Sequence, residues 1–267
     1  KFQNFYELYN IPNNLYIPVL NKVSYREIYY KDEIKDMKKQ YKNNLAARVL
    51  NQNIDYIREI TQEDGTTYVF EDRFLKILSS GMIIYENTEN FQSNENNLFI
   101  SLKTAVAFIS SKMGMGTSIT LTNYESIKSK NNYGYRFHFN LTENSIPVYM
   151  DNSQTSDYII IEVFSDHVKS YKQMYRGALS NPDEIYKETP ELSLDNIISE
   201  NINVFAQDED KVIELNTILE NISDIDFIYI DYLNKEENTK LFPAIKVIYK
   251  GRTLLFSLKD GKFLMER

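Results

Sequence analysis

The sequence predicts an α+β protein of two to three small units, each a helix packed on an antiparallel sheet. Three observations lead there. Apolar residues recur at helical steps near the start of each third of the chain. After each such stretch the period drops to two. The turns between those strand segments are too short to cross over between parallel neighbours. Polar or proline-bearing stretches divide the chain into 1–97, 98–188 and 189–267.

Residues 1–30, rich in Asn and Tyr and broken by Pro12 and Pro18, read mostly as coil. Ile34, Met37, Tyr41, Leu45 and Val49 then mark an amphipathic helix over about 31–52. Strands are expected at 54–62, 66–72, 74–78 and 81–86, with turns at Asp64-Gly65 and Ser80-Gly81. Beyond the polar Asn87–Asn97 stretch, Leu102, Ala105, Val106, Ile109 and Met113 form a second stripe. Ser101 is placed to cap that helix and Gly114 and Gly116 to end it.

Strands follow at 118–127, 133–142, 146–150, 157–164 and 167–176. In the second of these, Tyr133, Tyr135, Phe137, Phe139 and Leu141 alternate with Gly134, Arg136, His138 and Asn140, so one face is buried and one wet. Tyr158 to Phe164 is apolar on nearly both sides, as a central strand would be. The strand carrying Pro147 reads as an edge open to a partner strand. After a second boundary at Ser180–Pro190, one stripe runs Leu194, Ile197, Ile198, Ile202, Phe205 and another Val212, Leu215, Leu219, Ile222. Strands at 225–234, 241–249 and 252–258 close the plan, Gly251 turning the last pair.

A formal charge of −8 gives a surface that repels phosphate backbones and anionic lipid, so nucleic acid is not an expected partner. The densest basic run, Lys38-Lys39 with Lys42, reads as a solvated helix face. With no cysteine there is no disulfide framework, thiolate nucleophile or zinc-finger set. The 21 Tyr and 15 Phe suit half-buried sheet faces and recognition surfaces equally. No apolar run spans a bilayer. Because position 1 is Lys, we expect a removed signal or membrane anchor before it.

Candidate chemistry is sparse. His138 and His167 fall on separate strand segments, without the further N or S ligands that zinc needs. Asp208-Glu209-Asp210 and the trio Asp224, Asp226, Asp231 could furnish calcium oxygens, but neither follows an EF-hand spacing. The first is better read as the acidic start of a helix at Val212. Gly114-Met115-Gly116-Thr117-Ser118 follows a helix and lacks the phosphate-loop Lys, so it reads as a helix stop. No nucleophile elbow or Ser/His/Asp trio stands out. We therefore name no catalytic, cofactor-binding or metal-binding residue. Among aromatics, Phe2, Phe5, Tyr6, Tyr9, Tyr25, Tyr29 and Tyr30 either pack the N-terminal stretch onto the domain or form part of a partner patch, the packing reading ranking first.

Three segments resemble a known family. Asp72-Arg73-Phe74-Leu75-Lys76-Ile77, followed by Gly81-Met82-Ile83-Ile84-Tyr85-Glu86-Asn87, is similar to the strand pair closing the first domain of YycH-type proteins. Tyr135-Arg136-Phe137-His138-Phe139 with Ile146-Pro147-Val148-Tyr149 resembles their aromatic strand and short Pro-bearing strand. Phe242-Pro243-Ala244-Ile245-Lys246-Val247, then Gly251 and Phe256, resembles their final hairpin, with Ile245 where an aromatic residue is usual. The likeness covers 65–258, rests on structural residues, and leaves YycH-like against YycI-like open.

It implies a membrane-anchored, extracytoplasmic, non-enzymatic regulator that contacts a sensor kinase of the WalK/WalR two-component kind, beside a homologous regulator or without one. An extracytoplasmic binder of a small ligand or of cell-wall glycan ranks second, and a carboxylate-using hydrolase third.

Overall fold

A computed structural model describes residues 2–4, 16–18, 24–26, 28–31, 37–90, 97–113, 119–130, 132–151, 157–179, 186–188, 192–206, 214–232 and 238–266. The expected N-terminal aromatics Phe5, Tyr6 and Tyr9, the Gly114–Ser118 stop and Asp208–Asp210 lie outside them.

The α+β class holds, but the units are not separate. One mostly antiparallel sheet of 13 strands runs through all of them, with few helices upon it. Its first part is a meander of β5 (Arg58–Gln62), β6 (Gly65–Phe70), β7 (Arg73–Leu78) and β8 (Met82–Asn87). β8 then pairs with β13 (His167–Met174), not with its sequence successor, so the first two expected units share a sheet. From β13 the order continues through β12 (Ile159–Phe164) to β10 (Asn132–Glu143), which carries β9 (Ile119–Ser129) along its other edge. The last residues of β10 pair with β11 (Ile146–Asp151), and β11 pairs in parallel with β16 (Ile222–Tyr232). β18 (Phe242–Tyr249), β19 (Arg252–Ser257) and β20 (Phe263–Glu266) complete the sheet.

The physical reason for continuity is edge burial. Three separate small sheets would leave open edges, and pairing β8 with β13 and β11 with β16 removes four of them. It also corrects the placement of Pro147, whose strand is interior. Pro147 lies opposite Thr142 near the hairpin, within the short three-pair stretch that joins β10 to β11.

Helix α1 (Lys39–Leu50) buries Leu45, Ala46, Val49 and Leu50 and ends at Asn51 in the left-handed region, φ 54°. Helix α2 (Leu98–Ala107) runs on into a π-helical turn, Phe108–Lys112. Its cap is Asn97, whose Oδ1 accepts from the N–H of Phe99 and Ile100. Ser101, expected in that role, is one turn inside, buried, and its Oγ makes no hydrogen bond. Both helices lie on one side of the sheet, over a single core that includes Tyr68, Leu75, Ile83, Phe137, Ile161 and Tyr171.

Helices α3 (Leu194–Glu200), α4 (Ile202–Phe205) and α5 (Leu215–Glu220) cover β16, β18 and β19 with a second core around Ile197, Leu219, Val247 and Phe256. Asn201, between α3 and α4, donates to the carbonyls of Ile197 and Gly261 and accepts from the Phe263 N–H, fixing β20, a strand not expected from sequence.

The N-terminal stretch, expected as coil, holds four short strands: β1 (Phe2–Asn4), β2 (Tyr16–Pro18), β3 (Ser24–Arg26) and β4 (Tyr29–Lys31). β1 pairs with β2, which contacts β16. β3 pairs with β15 (Tyr186–Glu188), while β4 is flanked by β14 (Gly177–Leu179) and β17 (Asn238–Lys240). This stretch therefore docks on later parts of the chain. Tyr30 is buried and Tyr25 packs against the C-terminal core, which agrees with the packing reading for those two rings.

Candidate interaction surface

Among the described residues, α1 lies over β7 and α2 over β10, β12 and β13, all on one side of the sheet, and no helix covers the other side. On that open side, rows of side chains cross the strands in register. One runs Glu125 (β9), Arg136 (β10), Glu162 (β12), Ser170 (β13), Glu86 (β8); the next runs Asn123, His138, Ile160, Lys172, Ile84. Arg136 donates to Glu162 through Nε (2.9 Å) and Nη2 (2.6 Å) and through Nη1 to Glu125. Those hydrogen bonds, the one to Glu162 foremost, raise the guanidinium pKa further.

His138 lies on this side of β10, but the face expected to be wet is only partly so: His138 is 16% exposed and Asn140 is fully buried. The His138 Nδ1 lies 3.0 Å from Asp157 Oδ2, and its Nε2, 3.8 Å from Glu125, makes no hydrogen bond. The bond to Asp157 outweighs burial and raises the imidazole pKa above its ordinary value. Thr122 stands where the β9–β10 register slips, and its Oγ1 donates to the His138 carbonyl and meets Asp157 Oδ1 at 3.1 Å. The bulge, the histidine and the carboxylate thus pin the root of the hairpin.

β9 is a long and largely exposed strand of the main sheet. Eight of its 11 residues are exposed, and among the described strands it pairs only with β10. On the helix side of the sheet, Tyr124 lies opposite Phe137 and Lys128 opposite Tyr133. A ladder of rings climbs outward: Phe137 to Tyr135 at 6.0 Å, then Tyr135 to Tyr124 at 6.5 Å. Tyr124 is 51% and Tyr133 50% exposed, with Lys128 Nζ 5.0 Å from the Tyr133 ring centroid. Sequence alternation marked Tyr133 and Tyr135 as buried-face residues; α2 stops short of them because it rests on β10, β12 and β13.

A cleft of about 730 Å³ lies on the helix side, where α1 and the π-helical turn end above β7, β8 and the turn into β13. Tyr85 and Phe108 line it, their centroids 5.2 Å apart. Arg73 caps α1 through the Leu50 carbonyl (2.8 Å), and Arg48 caps the π-helical turn through the carbonyl of Lys112 (2.7 Å). His167 opens β13 beside this cleft with Nδ1 2.6 Å from Asp166 Oδ1.

A buried polar cluster joins the middle of the chain to its C-terminal part. Tyr158 donates to Asp231 Oδ2 (2.6 Å), and Arg176 donates to Oδ1 (2.9 Å), with Asp231 fully buried. Burial pushes the Asp231 carboxyl up although Arg176 opposes it. Tyr30 packs edge-on against Tyr158 and donates to Glu143 Oε1. Of the acids weighed for calcium, Asp231 is thus committed here, while Asp224 and Asp226 flank Lys246 Nζ at 2.8 and 3.1 Å. Among the described residues no group of three or more His, Cys, Asp or Glu gathers to hold a metal, and no helix is long and apolar enough to cross a membrane.

No known protein family matches the sequence, and no curated protein matches it. Solved structures do. An uncharacterized protein from Eubacterium rectale is similar in fold, with a TM-score of 0.60 at 11% identity over 91% of this chain and 86% of that one. The C-terminal domain of Bacillus megaterium YpeB aligns more loosely, with a TM-score of 0.44 at 12% identity over 86% of this chain and 97% of that one. At such identities the first likeness is one of fold alone.

Proposed function

We propose that this chain is a non-enzymatic extracytoplasmic regulator of a two-component system, acting by contact with the outer domain of a WalK-like sensor histidine kinase. One observation carries the reading: among the described strands a long one, β9, pairs along one edge only and is flanked by the exposed rings of Tyr124 and Tyr133. Exposed sheet edges with aromatic neighbours are contact surfaces that a monomer otherwise guards. The resemblance of residues 65–258 to YycH/YycI proteins supplies the partner class and a membrane-anchored location. Regulation then means binding one arrangement of the kinase better than the other. The test is calorimetric titration with the purified kinase outer domain. Micromolar or tighter binding supports the reading, and no heat at several hundred micromolar overturns it.

The second reading, a binder of a small ligand or cell-wall glycan, draws on the cleft beside Tyr85 and Phe108. Thermal stabilisation of the chain by glycan fragments would favour it. The hydrolase reading draws no support from Asp231, whose raised carboxyl is enclosed by Arg176 and Tyr158.

A further inference from the structure

Resting on that contact reading, we infer that β9 receives an extended segment of the partner as an added strand, basic on one face and apolar or aromatic on the other. Among the described strands, the three outer edges of the main sheet differ in how they are guarded. β5 has 5 residues and carries Arg58 and Glu59, and β20 has 4, with Glu266 held bidentately by Arg252. β9 has 11 residues, no proline, and one bulge confined to Thr122. Its charges are turned inward, Glu125 to Arg136 and Lys128 to the Tyr133 ring, so neither blocks approach to the backbone.

The rows that end on β9 specify what the next strand must bear. On the open face the order Glu162, Arg136, Glu125 alternates acid, base, acid, and Arg136 is already shared by both carboxylates. Glu125 remains 48% exposed, so a Lys or Arg opposite it continues the alternation. On the other face the ring ladder ends at Tyr124, which an apolar or aromatic neighbour covers. Successive residues of a strand face opposite sides, so the two demands fall on alternating positions of one segment. Main-chain hydrogen bonds supply affinity and these side chains supply specificity. The net charge of −8 favours the same basic segment at long range.

The experiment uses labelled peptides of about ten residues alternating Lys with Val and Tyr, a Glu-for-Lys counterpart, and a version interrupted by Pro. The Lys peptide should bind about fivefold tighter than the Glu peptide and slow amide exchange at 123–129, with the Pro version losing binding. Glu125→Gln should remove the Lys preference, and Tyr124→Ser, at an exposed site, should weaken all peptides while leaving circular dichroism unchanged. Equal affinity for both peptides, protection elsewhere, or a dimer of this chain that Tyr124→Ser dissolves overturns the inference. Kinase-domain binding with a footprint away from β9 sinks this inference and leaves the contact reading standing. Peptide protection on β9 with no kinase-domain binding does the reverse.

Discussion

His138 Nδ1 and Asp157 Oδ2 lie 3.0 Å apart at the root of the β9–β10 hairpin, where Thr122 reaches both residues. The charged form of His138 is favoured, chiefly by that hydrogen bond, so its folded pKa lies above the unfolded value of 6.5. A group raised on folding contributes stability that is complete below its unfolded pKa and vanishes as pH rises through its folded one. Urea midpoints should therefore fall from pH 6 toward pH 8, and His138→Gln should flatten that slope while costing about 1–2 kcal/mol at pH 6. An unchanged slope in the variant would remove the histidine from this role.

Arg176 and Asp231 form a buried ion pair, and removing one partner leaves the other charge stranded. Arg176→Met should cost about 3–5 kcal/mol in denaturant unfolding. The double change Arg176→Met with Asp231→Leu should cost less than the single one, because only the Tyr158 hydroxyl then lacks its partner.

Helix α2 distinguishes its real cap from the apparent one. Asn97→Ala should cost about 1 kcal/mol by freeing the N–H groups of Phe99 and Ile100. Ser101→Ala should be neutral or slightly stabilising, within about 0.5 kcal/mol, since its buried Oγ makes no hydrogen bond. Thermal unfolding of the two variants compares them directly.

Gly134 stands in β10 where a Cβ would strike the carbonyl of Val163 and the Phe164 ring. Gly134→Ala should lower stability by about 1–3 kcal/mol through strand displacement, read as a lowered thermal midpoint.

Local periodicity made most elements legible. The alternation from Tyr133 to Leu141 falls in β10, and of the two helical stripes Leu45, Val49, Ala105, Ile109 and Met113 are buried whereas Tyr41 and Val106 are exposed. Long-range pairing was not legible, because hydrophobic alternation tells which face is buried and not which strand lies alongside. Hence β8 against β13 and β11 against β16 turned expected separate units into one sheet and took Pro147 off an edge. Asn97 and Ser101 both satisfied the capping chemistry, and only the position of the first helical turn separated them. The candidate surface was half visible: Tyr133 and Tyr135 stood in the alternating strand, but Tyr124 lies on its neighbour β9, and the exposure of Tyr124 and Tyr133 is a packing fact with no local signature.

Hydrogen–deuterium exchange of the full chain mixed with the kinase outer domain tests the contact account most directly. The account predicts slowed exchange along Ile119–Ser129, with the far edge strand β5 unchanged. Saturating kinase domain that leaves β9 exchanging as in the free protein would contradict it.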